Sequence, residues 1–343
     1  MSAQHNTDVA IIGAGPVGLF SVFECGMLDL RCHVIDALPA LGGQLSALYP
    51  EKMIYDIPGF PKVEAGALVS LLEEQARPFA PLYHLGQQVT ELEGDAEGGW
   101  TLTTSQGVRI TAGAVIVAAG VGAFGPNRPP LTGIADYEDL GPGRGVHYMV
   151  RRREDFRDKN IVIAGGGDSA VDWALSLSDV AKSVAVVHRR PKFRAAPESV
   201  KKMMSKVESG VIDLVVPYQL SAIEGVDREM QAVMVKNLDG EDRRLEADAL
   251  LAFFGLSQNL GPIAGWGLPL ERHQIKIDPA DGATGLAGVF AAGDIVTYRG
   301  KLKLILTGFA EAAAAAHGAR KALFPDEEIH FEHSTTKGSP GVA

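Results

Sequence analysis

Gly13-Ala14-Gly15-Pro16-Val17-Gly18 follows the apolar run Val9-Ala10-Ile11-Ile12 and opens a helical pattern that reaches about Leu28. Cys32-His33-Val34-Ile35 then reads as a second strand ending at Asp36. Strand, glycine-rich turn, helix and strand make a βαβ unit. The three glycines differ in purpose. Gly13 lets the chain turn tightly, Gly15 lets a pyrophosphate approach the main chain, and Gly18 lets helix and strand pack closely, with the phosphates at the positive end of the helix. Asp36 stands 23 residues after Gly13, close to the spacing of about 20 at which an acid meets a ribose hydroxyl. Gly13, Gly15, Gly18 and Asp36 therefore predict a dinucleotide site.

The unit occurs twice. Ile161 to Ala164 is followed by Gly165-Gly166-Gly167-Asp168-Ser169-Ala170, a helical pattern to about Leu177 and a strand from Val184 to Val187. The residue in register with Asp36 is His188, and Arg189, Arg190 and Arg194 come soon after. A carboxylate at this place suits the 2′-hydroxyl of NAD or FAD, whereas the 2′-phosphate of NADP needs positive, fork-shaped donors. The first unit thus suits FAD. The second suits NADPH, with Gly165, Gly167, Asp168, Ser169, His188, Arg189, Arg190 and Arg194 as its predicted contacts.

Near the end of the chain, Thr284 to Asp294 reads as an apolar strand closing in Gly293-Asp294, with a helical stretch after Lys303. Asp294 then lies where strand gives way to helix, either as a flavin-side contact or as an N-cap. The two roles are compatible. The first glycine loop near the start and the Gly-Asp element near the end bracket the second loop. The prediction is an α/β fold with two Rossmann-like dinucleotide-binding domains, the NADPH domain inserted into a discontinuous FAD domain. Residues 1–120 and 256–343 would form the FAD domain and 121–255 the NADPH domain. The crossings fall near Gly120 to Pro130 and near Asp248 to Gly261, where apolar strands give way to the Gly- and Pro-containing stretches 122–130 and 255–267, and both read as hinge-like linkers.

A chain of 343 residues is long enough for about two domains, each with its own core. Lys and Arg number 32 against 42 Asp and Glu, a net charge of −10, which argues against phosphate-backbone binding to nucleic acid. Only two cysteines occur, Cys25 and Cys32, too few for a disulfide framework or a four-cysteine zinc site. His5, His33, His84 and His147 show no metal-ligand spacing, and no metal is expected. The polar start lacks a basic n-region, and no apolar run approaches the roughly 20 residues of a membrane span. A cytoplasmic protein is expected.

These motifs in this order resemble the low-molecular-weight thioredoxin reductases, and more closely the ferredoxin-NADP reductases of the thioredoxin-reductase-like type. Leu41-Gly42-Gly43-Gln44-Leu45, Leu48-Tyr49-Pro50-Glu51-Lys52 and His333-Ser334-Thr335 carry the resemblance together with both glycine loops, His188-Arg189-Arg190 and Ala291 to Asp294. The resemblance implies a flavin ring stacked between Tyr49 and His333, with Thr335 at its hydrogen-bonding edge. Gln44, Val89 and Phe124 would join Asp36 in the FAD pocket, Val89 through its main chain. It also implies a homodimer.

One departure matters. Thioredoxin reductases carry a C-x-x-C pair just before the second glycine loop, and the stretch here, Gly145-Val146-His147-Tyr148-Met149-Val150, has no cysteine. Cys25 and Cys32 read instead as small buried apolar residues. Without a thiol relay the flavin hands electrons directly to an acceptor, by hydride transfer from NADPH to N5 and then single-electron release to ferredoxin or flavodoxin. The alternatives are a thioredoxin-reductase-like enzyme with another dithiol, an NADPH oxidase, or an FAD/NADPH redox-sensing module. Such electron carriers are acidic, so docking needs a local basic patch. Arg151-Arg152-Arg153, Lys201-Lys202 with Lys206, and Arg299 to Lys303 are the candidates.

Overall fold

The structure, a computed structural model, describes residues 4–327, without the side chains of 123–124 and 256–258. The helices among these residues are Pro16–Met27 (α1), Gln44–Leu48 (α2), Ala65–Ala76 (α3), Asp168–Leu177 (α4), Pro197–Glu208 (α5) and Ile305–Leu323 (α6). The chain divides into two compact units. One takes the residues up to Phe124 and from Gln258 onward; the other is Gly125–Ser257.

In the first unit Gln4–Ile12 (β1) runs parallel to Cys32–Asp36 (β2) on one side and to Arg109–Val117 on the other. Leu82–Leu85 extends the parallel run beyond β2, and Val289–Ala291 lies parallel to the C-terminal end of Arg109–Val117. Gly99–Thr104 and Val89–Asp95 continue the sheet in antiparallel sense. The unbroken apolar run in β1 has a direct cause, since both faces of a central parallel strand are covered. Val9 and Ile11 pack with Val22 and Cys25 of α1 and with Ala315, Ala316 and Ala319 of α6. Ala10 and Ile12 join Ile35, Leu102, Val115 and Ile263 in another cluster. β1 begins at Gln4, earlier than its apolar part, because Gln4 to Thr7 still pair with Arg109 to Ala112.

The second unit holds a five-stranded sheet in the order Gly145–His147, Ala249–Ala252, Asn160–Ala164, Ser183–Val187, Ile212–Val215. Every neighbouring pair is parallel. A three-stranded antiparallel sheet, Gln219–Val226, Glu229–Lys236 and Asp242–Glu246, packs Met230, Val233, Val235 and Leu245 onto Val162, Ala164, Val187 and Val215. The helix α4 lies on Asn160–Ala164 and Ser183–Val187, and α5 lies on Ile212–Val215.

The crossings contain Ala123–Pro126 and Leu256–Asn259, which pair as a two-stranded ribbon. One expectation changes. The stretch from Thr284 to Asp294 is not one strand, and only Val289–Ala291 is extended in the sheet. Gly285 and Gly288 stand at φ +85 and +77, left-handed positions that no strand residue takes, and the Thr284 hydroxyl donates to the Val289 carbonyl at 2.8 Å to close the turn. No helix among the described residues is long and apolar enough to cross a membrane. The alanine run of α6 serves the core instead, with Ala312, Ala315, Ala316 and Ala319 fully buried.

Candidate functional site

The first glycine loop is held by close approach. A methyl group on Gly18 would stand 1.9 Å from the Gly13 carbonyl oxygen, and one on Gly13 would stand 2.4 Å from the Ala118 carbonyl oxygen. Either would push α1 off the sheet. Gly15 is different, since a methyl there meets nothing within 4 Å. The missing side chain leaves open main chain at the start of α1, whose first turn has no side-chain cap. That is the cradle a pyrophosphate requires. Asp36 faces the same loop: its Oδ2 accepts the Ala14 N–H at 2.6 Å and its Oδ1 accepts the Leu38 N–H at 2.7 Å. Burial pushes its carboxyl upward, and the two amide donors oppose that shift.

The segment before α2 crosses this loop. Gly42 donates its N–H to the Ala14 carbonyl at 2.8 Å, and a methyl on Gly43 would come within 3.1 Å of the Gly15 Cα. Gln44 opens α2, and its Nε2 reaches within 3.4 Å of where a methyl on Gly120 would stand. Tyr49 ends α2 with its ring against the cluster of Leu19, Leu45 and Leu68. The Lys52 ammonium lies 5.7 Å from the ring centroid. Burial, and then the charge of Asp294, push the Tyr49 phenol upward. Val89 is buried in the core, where it pairs with Thr104 in the sheet. Phe124 lies on Ala123–Pro126, and its side chain is not among those described. His333 and Thr335 lie outside the described residues.

Asp294 sits in a single turn, Gly293–Ile295, and does not cap α6, whose N-cap is Leu304 with no side-chain bond. The turn is fixed from two sides. Methyl groups on Gly293 and Gly308 would lie 3.3 Å and 2.5 Å from the Val17 side chain of α1. The Gly293 N–H donates to Glu311 Oε2 at 2.8 Å. Glu311 also accepts both bonds of the Lys301 ammonium, at 2.6 and 2.7 Å, and the Tyr298 hydroxyl at 2.7 Å. The Lys301 and Glu311 side chains are 5% and 4% exposed. Lys301 is therefore a buried partner and no part of a basic docking patch, a correction to the sequence reading. The signal was present in α6, where Glu311 occupies the inward stripe with Gly308, Ala312 and Ala315 at helical spacing.

The second loop repeats the plan with other contacts. A methyl on Gly165 would lie 2.8 Å from the Phe253 carbonyl oxygen, while one on Gly167 would meet nothing within 4 Å. Asp168 begins α4 and accepts the Ala196 N–H at 2.8 Å; Ser169 beside it is exposed. The His188 ring closes over Gly166, where a methyl would come within 2.3 Å of it. The Phe193 ring stands 5.0 Å away. Burial, and the charges of Arg189, Arg190 and Arg194, hold the imidazole below its usual range, so His188 is a neutral wall of the loop. Positive charge comes from Arg189, Arg190 and Arg194, with the exposed Lys192 between them. Arg194 donates its main-chain N–H to Gly166 at 2.7 Å. Arg189, Arg190 and Arg194 are exposed, and none enters an ion pair among the described residues.

Two further groups are brought together by the fold. Cys25 and Cys32 are both buried, and the neighbouring Cys32 thiol, with burial, drives the Cys25 thiol well above its usual range. Such a thiol is not a nucleophile. His5, His33 and His84, distant in sequence, cluster with ring centroids 5.1 to 5.4 Å apart, and His33 Nδ1 lies 3.1 Å from His84 Nε2. Burial, the neighbouring histidines and Arg31 lower the His33 imidazole to about 4. Among the described residues no group of three His, Cys, Asp or Glu side chains is placed to hold a metal.

Comparison with known proteins agrees with this geometry. The profile of the pyridine nucleotide-disulphide oxidoreductase family matches residues 7–318. A ferredoxin-NADP reductase of Paramagnetospirillum magneticum is 61% identical over 338 residues, covering 98% of this chain and 99% of that one. One of Rhodospirillum rubrum is 60% identical over 344 residues, with 99% of each chain covered. Among solved structures, the thioredoxin reductase of Lactococcus lactis superposes with a TM-score of 0.78 at 25% identity, over 93% of this chain and 99% of that one. The thioredoxin reductase of T. acidophilum, at 23% identity and a TM-score of 0.79 over 92% and 98% of the two chains, shares the fold. The chain belongs to the pyridine nucleotide-disulphide oxidoreductase family, and within it to the thioredoxin-reductase-like flavoproteins whose full-length relatives are called ferredoxin-NADP reductase.

Proposed function

We propose that the chain is a ferredoxin-NADP reductase that holds FAD in its first unit and NADPH in its second, and passes electrons to ferredoxin or flavodoxin without a thiol relay. One observation carries the reading. Two glycine loops of the same design end in opposite charge, Asp36 against the first and, just after the matched His188, Arg189, Arg190 and Arg194 beside the second. Bound FAD would supply the chemistry, taking a hydride at N5 and yielding electrons one at a time. The chain's residues bind and orient. Gly13, Gly15 and Gly18 seat the FAD pyrophosphate, Asp36 faces its ribose, Gln44, Tyr49 and Asp294 border the flavin side, and the main chain of Val89 faces the adenine. Phe124, His333 and Thr335 belong to the same proposed pocket. Gly165, Gly167, Asp168 and Ser169 seat NADPH against the His188 wall, and the three arginines hold its 2′-phosphate. The buried, unreactive Cys25 and Cys32 favour direct electron release over a dithiol route.

The acidic carrier is proposed to dock at Arg299 and Lys303. Both are exposed beside Leu302, which is 61% exposed. In the other basic clusters Arg152, Arg153, Lys202 and Lys206 face Asp155, Glu154, Glu198 and Asp179 within ion-pair distance. Those pairings weaken the field an acidic partner would meet. A homodimer and a cytoplasmic location complete the proposal, and sedimentation of the purified enzyme tests the former.

The deciding experiment is NADPH-dependent cytochrome c reduction by the purified protein, with and without ferredoxin, run beside NADH and a disulfide-coupled assay. Strong ferredoxin dependence with NADPH preference is expected. Equal turnover without ferredoxin, whether electrons go to disulfide or to oxygen alone, overturns the reading in favour of the thiol or oxidase alternative. Slow release to every acceptor would favour the sensing module.

A further inference from the structure

The nucleotide edge of the second unit has an end that the glycine loop and the arginines leave unused. Asn160–Ala164 carries the glycine loop; Ser183–Val187, on one side, leads to the arginines. On the other side lie Ala249–Ala252 and then Gly145–His147. A dinucleotide with its pyrophosphate on the loop and its 2′-phosphate at the arginines must send its other half across the C-terminal ends of those two strands. Tyr148 is the first residue beyond Gly145–His147, and Phe253 and Phe254 follow Ala249–Ala252.

Tyr148 is built in. Its ring packs on the cluster that contains Val146, Val162 and Leu250. Its hydroxyl donates to Glu138, and the same carboxylate takes the Arg128 Nε–H at 2.8 Å and a second guanidinium bond. Glu138 is itself tied to the sheet, since its main chain bridges Val146. Three segments thus hold one half-buried phenol at the ligand edge, and the Glu138 carboxylate side chain is only 17% exposed. Phe254 completes the end of the neighbouring strand. Asn127 fastens that corner by donating its Nδ2–H to the Phe254 carbonyl at 3.2 Å and its N–H to the Gly255 carbonyl at 3.0 Å, while the Phe254 side chain stays out, with the residue 46% exposed. An exposed aromatic ring on a fastened main chain, next to a fixed phenol, suits a flat heteroaromatic ring on a ribose phosphate.

We propose that Tyr148, held by Glu138 and Arg128, and Phe254 bind the nicotinamide mononucleotide half of NADP(H), which rests on the reading of the second unit as its NADPH site. The competing role is a clasp that only holds the segment 128–138 to the sheet. Adenosine 2′,5′-bisphosphate separates them, because it carries the adenosine half and the 2′-phosphate but no nicotinamide.

The test titrates the FAD-loaded enzyme with NADP⁺ and with adenosine 2′,5′-bisphosphate, by calorimetry, in wild type and in Tyr148→Ala, Tyr148→Phe and Phe254→Ala. The expected result is a loss of about tenfold or more in NADP⁺ affinity for both alanine variants, with the bisphosphate unchanged within about twofold. Tyr148→Phe keeps the ring and so keeps most of the affinity. If Tyr148→Ala does not fold, Phe254→Ala alone decides. Equal weakening of both ligands shows a clasp, and unchanged NADP⁺ affinity shows no contact; either overturns the inference while leaving the NADPH site in place. A wild-type enzyme that does not bind the bisphosphate overturns the site reading itself, and the inference with it.

Discussion

The two βαβ units of this chain share a plan and differ at matched positions. In the first, the residue 23 places after the leading glycine is Asp36, whose carboxylate accepts the Ala14 N–H at 2.6 Å. In the second it is His188, whose neutral ring fills the space over Gly166, the residue matched to Ala14. One unit thus brings a charged acceptor to its loop. The other covers its loop with an uncharged ring and leaves charge to exposed arginines further along. The third glycine position differs too: Gly18 is required because a methyl would stand 1.9 Å from a carbonyl oxygen, while the second unit accommodates Ala170, fully buried, at the same step. The first loop is the tighter of the two. Among the described residues the first unit is braced by a buried ion pair, Lys301 with Glu311, whose carboxylate accepts the Gly293 N–H.

That brace carries the largest expected effect. Lys301→Met leaves a carboxylate buried and unpaired, and should cost about 3–5 kcal/mol. FAD should be lost with it, as the Gly293-Asp294 turn loosens. Thermal unfolding and the FAD content of the purified protein measure both, and the double variant Lys301→Met with Glu311→Leu should recover part of the stability. A melting temperature unmoved by Lys301→Met would show the pair contributes nothing.

Next comes the packing contrast. Gly18→Ala should cost about 1–3 kcal/mol through overpacking against Gly13, whereas Ala170→Gly should cost about 1–2 kcal/mol through helix propensity and the loss of one buried methyl. Equal melting shifts for the two would remove the distinction between a tight and a loose loop.

The charge contrast is tested by Arg189→Ala combined with Arg190→Ala. Removing two charge-assisted contacts should lower kcat/KM for NADPH on the order of 10- to 100-fold while NADH kinetics stay nearly constant. Equal losses with both nucleotides would withdraw the 2′-phosphate from these side chains.

The smallest effect concerns the histidine cluster of the first unit. His33 titrates at about 4 in the fold and at about 6.5 when unfolded. Between those values the unfolded chain binds more protons, so the neutral imidazole's contribution is complete above about pH 6.5 and declines as pH falls toward 4. His33→Gln should flatten the change in urea midpoint between pH 7 and pH 4.5. An unchanged slope would place the acid sensitivity elsewhere.

Much of this protein was legible in linear sequence because a dinucleotide loop is a local structure. Its strand, turn and helix lie within some thirty consecutive residues of a βαβ unit, so Gly13, Gly18, Asp36, Gly165 and the arginine run declare themselves by spacing. Insertion of one unit into the other was legible from motif order alone. The Lys301–Glu311 pair was legible only in part: the spacing of α6 puts Glu311 on the inward stripe, but a lysine in a run of exposed cations shows itself as its partner only when the segment before α6 packs. The Thr284 to Asp294 turn was not legible, because its apolar content suggested a strand and two left-handed glycines forbid one. The His5, His33 and His84 cluster and the Cys25–Cys32 contact bring together residues from separate elements. The linear order of residues carried the charge contrast between the two loops, since Asp36, Arg189 and Arg190 stand at fixed local spacings from their glycines. Which charges are buried and which carboxylates are braced emerged only in the fold, since burial and long-range hydrogen bonds exist only once distant segments pack.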